Sequence, residues 1–197
     1  MKPVLAATAL LIYLAACSPE SADAPDVAPE PANENAVAAP SPPAPPPAVA
    51  TPRAANVLTL EGLGPLRIGQ PVPAGSGWAE RGAQASDACR IISSPDFPGV
   101  YAIVEGGKVR RITVGERSDV KLAEGIGAGS TEAEVRAAFP GFRQAPHEYA
   151  DPPAKYWTAP NAARGDPALR FEIGADSKVS LVHVGIMPVL GYVEGCA

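Results

Sequence analysis

The chain has 197 residues, among them 24 prolines, 19 glycines and three cysteines, and carries a net charge of −5. The excess of acid over base argues against nucleic acid as a partner, which calls for a clustered basic surface. Its longest apolar run falls short of the roughly 20 residues that a membrane-spanning helix needs.

That run opens the chain. Lys2 supplies one positive charge, and Val4 to Leu14 is apolar or small apart from Thr8. This suits the apolar segment of a secretory signal. Leu14-Ala15-Ala16-Cys17 follows, and a leucine three before a cysteine with two small residues between resembles the lipobox of bacterial lipoproteins. The resemblance implies removal of residues 1–16, a diacylglyceryl group on the Cys17 thiol, and usually an acylated amino terminus. Two or more acyl chains anchor stably, at about 0.8 kcal/mol per buried CH2. Ser18, in place of aspartate, resembles lipoproteins passed on to the outer membrane, where the protein would face the periplasm. The alternative is an ordinary secretory signal in which Cys17 falls by chance.

Residues 17–56 change composition abruptly, with 11 prolines from Pro19 to Pro52 and alanine in most of the gaps. Such a segment cannot bury enough apolar surface to offset its ordering entropy. It is expected to be a disordered tether reaching roughly 35 Å as a coil and roughly 120 Å as extended polyproline II. A proline-rich ligand for a partner domain is the other reading.

Residues 57–197 are one domain's worth of chain, with 14 basic against 16 acidic side chains. The domain echoes itself: Leu66-Arg67-Ile68-Gly69 returns as Glu124-Gly125-Ile126-Gly127, and Gly107 to Gly115 as Ser177 to Gly185. Possible repeats therefore span residues 57–115 and 124–185. Strands are expected over Leu58–Glu61, Pro65–Ile68, Cys89–Ile92, Val100–Val104 and Val109–Val114. Further strands are expected over Lys155–Thr158, Leu169–Ile173 and Lys178–Val184. Thr131-Glu132-Ala133-Glu134 is a capping box that starts a helix. Val135, Ala138 and Phe139 give that helix its apolar face, and Pro140-Gly141 stop it. In the first copy Pro71 to Gly82 holds two prolines and three glycines, so a helix there is degraded, with Trp78 packing in its place. The expected class is α+β: a tandem repeat of a short helix on an antiparallel meander.

The pattern Gly125-Ile126-Gly127-x-Gly129-Ser130-Thr131-x-x-Glu134-Val135-x-x-x-Phe139, followed by a meander, resembles the beta-lactamase inhibitor protein-like superfamily. That superfamily includes small outer-membrane lipoproteins of the barrel-assembly machinery. The likeness covers residues 124–185, and 64–115 faintly. It implies a fold, not a function.

With Cys17 lipidated, Cys89 and Cys196 remain as a disulfide pair in an oxidising compartment, or as two buried thiols. Their spacing is not that of a redox or metal motif, and no metal or cofactor is expected. His147 and His183 are the two histidines. Ser180, His183 and Asp176 could form a triad on paper, but no Gly-x-Ser-x-Gly elbow exposes a serine. Glu132 and Glu134 complement the dipole of a helix's first turn. Gly125, Gly127 and Gly129 serve a tight turn more simply than a phosphate. No catalytic residue is assigned.

Recognition is expected on the aromatic stretch Phe142 to Pro160, with Phe142, His147, Tyr149, Tyr156, Trp157 and, from a neighbouring strand, His183. Tyr156 and Trp157 have an alternative place in the core. The functional expectation is a non-enzymatic lipoprotein that binds an envelope protein or a cell-wall polymer. An envelope hydrolase and a structural link between membrane and wall are the alternatives.

Overall fold

The structure, a computed structural model, describes residues 56–84 and 86–196. The signal segment, Cys17 and the tether up to residue 55 lie outside the described residues. No helix among the described residues is long and apolar enough to cross a membrane.

The domain is mostly β, which corrects the α+β expectation: 38% of the described residues are strand and 9% helix. One α-helix is present among the described residues, α1 (Glu132–Ala138), and it begins with the expected capping box. Thr131 accepts from the Glu134 amide while the Glu134 carboxylate accepts from the Thr131 amide. Nothing equivalent stands before the first meander. There Gly75, Gly77 and Gly82 adopt positive φ, and prolines 71 and 73 remove two amide donors. Left-handed glycines and missing donors cannot continue a helix. The repeated helix-and-meander arrangement is therefore overturned.

Short pairs come first. β1 (Val57–Leu58) pairs in parallel with β8 (Lys121–Leu122), while β2 (Gly62–Leu63) and β3 (Leu66–Arg67) form a hairpin. Eight strands then build one antiparallel sheet. They are β4 (Ala79–Glu80), β5 (Cys89–Ser93), β6 (Val100–Glu105), β7 (Lys108–Gly115), β9 (Arg143–Pro146), β10 (Lys155–Thr158), β11 (Ala168–Ile173) and β12 (Val179–Gly185). Their order is β4-β5-β6-β7-β12-β11-β10-β9, so two meanders join where β7 meets β12. Leu181 opposite Gly115 and Val184 opposite Ile112 fix that central register.

Alternation sends one set of side chains to the core. Ile112, Val114, Phe171, Ile173, Val182 and Val184 are buried there under Val135 of α1 and the leucines of the short hairpin. Phe171 lies 5.3 Å from Phe139 and 5.9 Å from Phe142 between ring centres. In the first half, where no helix covers the sheet, Trp78 stacks on Phe97 at 5.7 Å.

The other face carries Tyr101, Thr113, His183 and Arg170, which stand opposite one another across four strands. Part of it is covered by residues 186–196, a strap containing a short 3-10 turn at Val189–Gly191. Cys196 at its end is disulfide-bonded to Cys89 on β5, across 107 residues of sequence. Cys89, Ile103 and Val189 form a small apolar cluster beneath the strap, with Tyr192 and Cys196 packed against it.

Candidate functional site

Two strands deliver the polar groups of this second face. β11 places Arg170 and Glu172 on it two residues apart, and β12 places His183 opposite Arg170. The loop after β9 brings His147 to the same carboxylate. His147 Nε2 lies 2.7 Å from Glu172 Oε1, and His183 Nε2 lies 3.5 Å from Glu172 Oε2. Both histidines of the protein thus converge on one glutamate.

The surrounding donors assign the tautomers. His147 Nδ1 accepts from the amides of Tyr149 and Ala150, each at 3.1 Å, so its proton sits on Nε2 and points at Glu172. His183 Nδ1 is 2.9 Å from Thr113 Oγ1, which donates to it when the imidazole is neutral. Burial drives the His183 pKa down to about 4, against the Glu172 carboxylate, which favours its protonated form. Burial pushes the Glu172 carboxyl up, but hydrogen bonds from His183 and His147 outweigh it and hold Glu172 below its ordinary value. His147 thus donates to one oxygen of Glu172, and buried His183 lies 3.5 Å from the other.

Two arginines frame this centre. Arg170 lies 3.9 Å above the Tyr156 ring and donates to the Gly191 carbonyl of the strap at 3.0 Å. Arg111, 1% exposed, donates to the carbonyls of Val189 and Tyr192. Room for Arg111 depends on Gly185 of β12, where a Cβ would come within 3.1 Å of the arginine's own Cβ and 2.5 Å of the Arg110 carbonyl. The strap's backbone is thus held by guanidinium groups rising from the sheet.

Each histidine commits both ring nitrogens, and the Glu172 oxygens face those histidines. Ser180 donates to the Glu172 main-chain carbonyl at 3.1 Å, and Asp176 accepts from the Lys178 amide, so the Ser180–His183–Asp176 triad is not assembled. A metal is also disfavoured at His147: two amides fix Nδ1 as an acceptor, so Nε2 keeps its proton and has no lone pair to offer. No group of three metal-binding side chains occurs among the described residues. Glu132 is paired with Lys155 at 3.0 Å, and Glu134 is spent in the capping box.

The aromatic stretch does not form one exposed surface. Tyr156 and His183 are buried, and His147 stacks on Tyr156 at 4.8 Å. Phe142 and Trp157 are half-buried and pack on the core, with Arg136 5.9 Å from the Trp157 ring centre. Tyr149 alone of the six is strongly exposed, and its hydroxyl donates to Glu194 of the strap at 2.6 Å.

Open space lies elsewhere on this face. A groove of about 970 Å3 runs over the same sheet face from Ser93 and Tyr101 to Ser180, with Glu172 at its edge. Gly99, Gly115, Arg81 and Arg117 are among its lining residues. Sequence reasoning passed over this groove, because Tyr101, Arg117 and Ser180 come from separate strands and loops. The polar alternation Arg170-x-Glu172 in β11 and Arg111-x-Thr113 in β7 was the available sign that this face is not core.

No protein-family model matches the chain, and no curated protein matches its sequence. The crystal structure of the uncharacterized protein yfeY from Escherichia coli is similar at 16% identity and a TM-score of 0.46, covering 66% of this chain and 99% of that one.

Proposed function

We propose that this chain is a lipid-anchored envelope lipoprotein whose folded domain is a non-enzymatic module binding an envelope protein or cell-wall polymer. The lipobox-like Leu14 to Cys17 supports the anchor, with outer-membrane placement following from Ser18. The Cys89–Cys196 bond supports an oxidising compartment. The observation that carries the binding role is the groove over the polar sheet face. Ser93, Ser180, Tyr101, Arg81 and Arg117 line it together with the apolar Pro95, Phe97, Pro98 and Leu181. Planar rings beside hydroxyls and arginines suit an extended polar polymer, because Tyr and Arg give much contact with few rotamers to freeze. Beside it, His147, His183 and Glu172 are locked to one another, which favours scaffolding over hydrolysis.

The test is co-sedimentation of the exported, unacylated Cys17→Ser chain with isolated cell-wall polymer and with cross-linked envelope protein. Retention is expected, and Tyr101→Ala or Arg117→Ala should weaken it about tenfold, the scale of one good interface contact. Retention unchanged in both variants, or none at all, would remove the groove as the binding surface. Turnover of the polymer that disappears in His147→Ala would replace the binding role with a hydrolytic one.

A further inference from the structure

Residues 148–153, between β9 and β10, put no side chain into the core. All of them are exposed, so apolar burial does little to hold this loop in place. Its hold is polar. The amides of Tyr149 and Ala150 both donate to Nδ1 of His147, each at 3.1 Å. The Glu148 amide reaches the Tyr156 hydroxyl only at 3.5 Å, and the Tyr149 hydroxyl donates to Glu194 of the strap at 2.6 Å. The Ala154 amide donates to the Asp151 carbonyl at 3.1 Å, which closes the turn on itself rather than onto the sheet. One imidazole nitrogen therefore gathers the loop's main-chain bonds to the body of the domain.

That nitrogen accepts only while it carries no proton. Histidine is the side chain that gains a proton between about pH 8 and pH 5. A ring protonated on both nitrogens donates from each, so an Nδ1–H would face two N–H groups and both loop bonds would be lost. The other side of the ring responds in the opposite way. Its Nε2–H already points at Glu172 Oε1, 2.7 Å away, and a charged ring strengthens that bond. The ring also stacks on Tyr156 at 4.8 Å. On protonation the imidazole stays and the loop leaves. The charged and titratable groups around it are Glu172 and Arg170 of β11, His183 of β12, Tyr156 of β10, Glu148 and Tyr149 of the loop, and Glu194 of the strap. Of the carboxylates among them, Glu172 is the one in contact with the ring.

We infer that residues 148–153 form an acid-released loop, latched while Nδ1 of His147 is free of a proton and let go when it gains one. The strap does not follow the loop. Cys196, two residues beyond Glu194, is bonded to Cys89, so the Tyr149–Glu194 contact breaks from the loop's side. The device is local, and it is separate from whatever the groove binds.

The test is NMR of the whole isotope-labelled chain, followed from about pH 8 to about pH 5. At the alkaline end the His147 ring should carry its proton on Nε2, with the Tyr149 and Ala150 amides protected from solvent exchange. As the ring takes up its second proton, both protection factors should fall at least about tenfold, with the midpoint of the ring's own titration. Core amides such as Ile112 and Phe171 should keep theirs. His147→Asn places an acceptor oxygen that takes up no proton in this range, and should make the protection of both amides independent of pH. His147→Phe keeps a ring against Tyr156 without an acceptor, and should leave both amides unprotected even at the alkaline end. A proton on Nδ1 at the alkaline end, or protection unchanged through the ring's titration, would overturn the proposal. So would a parallel loss at Ile112, the same acid response in His147→Asn, or full protection in His147→Phe.

Discussion

Glu172 accepts an N–H from His147 and lies 3.5 Å from Nε2 of His183, and the burial of His183 makes stability depend on pH. His183 titrates near 4 in the folded protein because burial penalises its charged form; in the unfolded chain it titrates near 6.5. Between those values the unfolded chain binds a proton that the folded one does not, so stability falls as the pH falls from about 6.5 to about 4. The loss is on the order of 3 kcal/mol. Glu172, held below the usual carboxylate range, adds a further loss of the same sign at lower pH. Urea midpoints at pH 7, 5.5 and 4.5 should therefore decline steeply in the parent protein and much less in His183→Gln. An equal decline in both would show that His183 is not the acid-sensitive group. None of this was legible at the residue level in the sequence. His183 sits in an apolar strand pattern that reads equally well as facing solvent, and His147 and Glu172 are 25 positions apart.

At the scale of elements, what was legible was local. The capping box at Thr131 and Glu134 depends on residues three apart, and the helix stands where it was expected. The main meander strands were read from runs of Val and Ile around glycine turns. β9 was missed because Arg143-Gln144-Ala145-Pro146 is exposed throughout and has no alternation to betray it. The class was misjudged because Gly75, Gly77, Gly82, Pro71 and Pro73 leave no helix before the first meander, and because the β7–β12 seam, between residues about 70 apart, turns two meanders into one sheet. The strap was legible only as a disulfide, since its contacts with Arg111 and Arg170 run through main-chain carbonyls that any sequence supplies. Cys196→Ser should free its end. Closing a loop of about 100 residues stabilises by at most about 4.7 kcal/mol in the chain-entropy model, so a loss of about 2–4 kcal/mol is expected. Dithiothreitol should reproduce that loss in the parent protein. A Cys196→Ser protein within about 0.5 kcal/mol of the parent would mean that the arginine contacts alone hold the strap.

Across the whole molecule, the sheet divides the domain into unlike sides. One buries the core. The other holds the histidine–glutamate centre, the disulfide-tied strap and the polar groove. A core on one side and a groove over the other suit the binding module proposed above, which would meet its partners near a membrane through the proposed anchor at Cys17. That account depends first on where the protein resides. Intact mass of the mature protein extracted from membranes, with and without reductant, tests this most directly. The account predicts a chain beginning at Cys17 with acyl mass on it and a gain of about two daltons on reduction, for the single Cys89–Cys196 bond. An unacylated chain that keeps residues 1–16 and shows free thiols would contradict it.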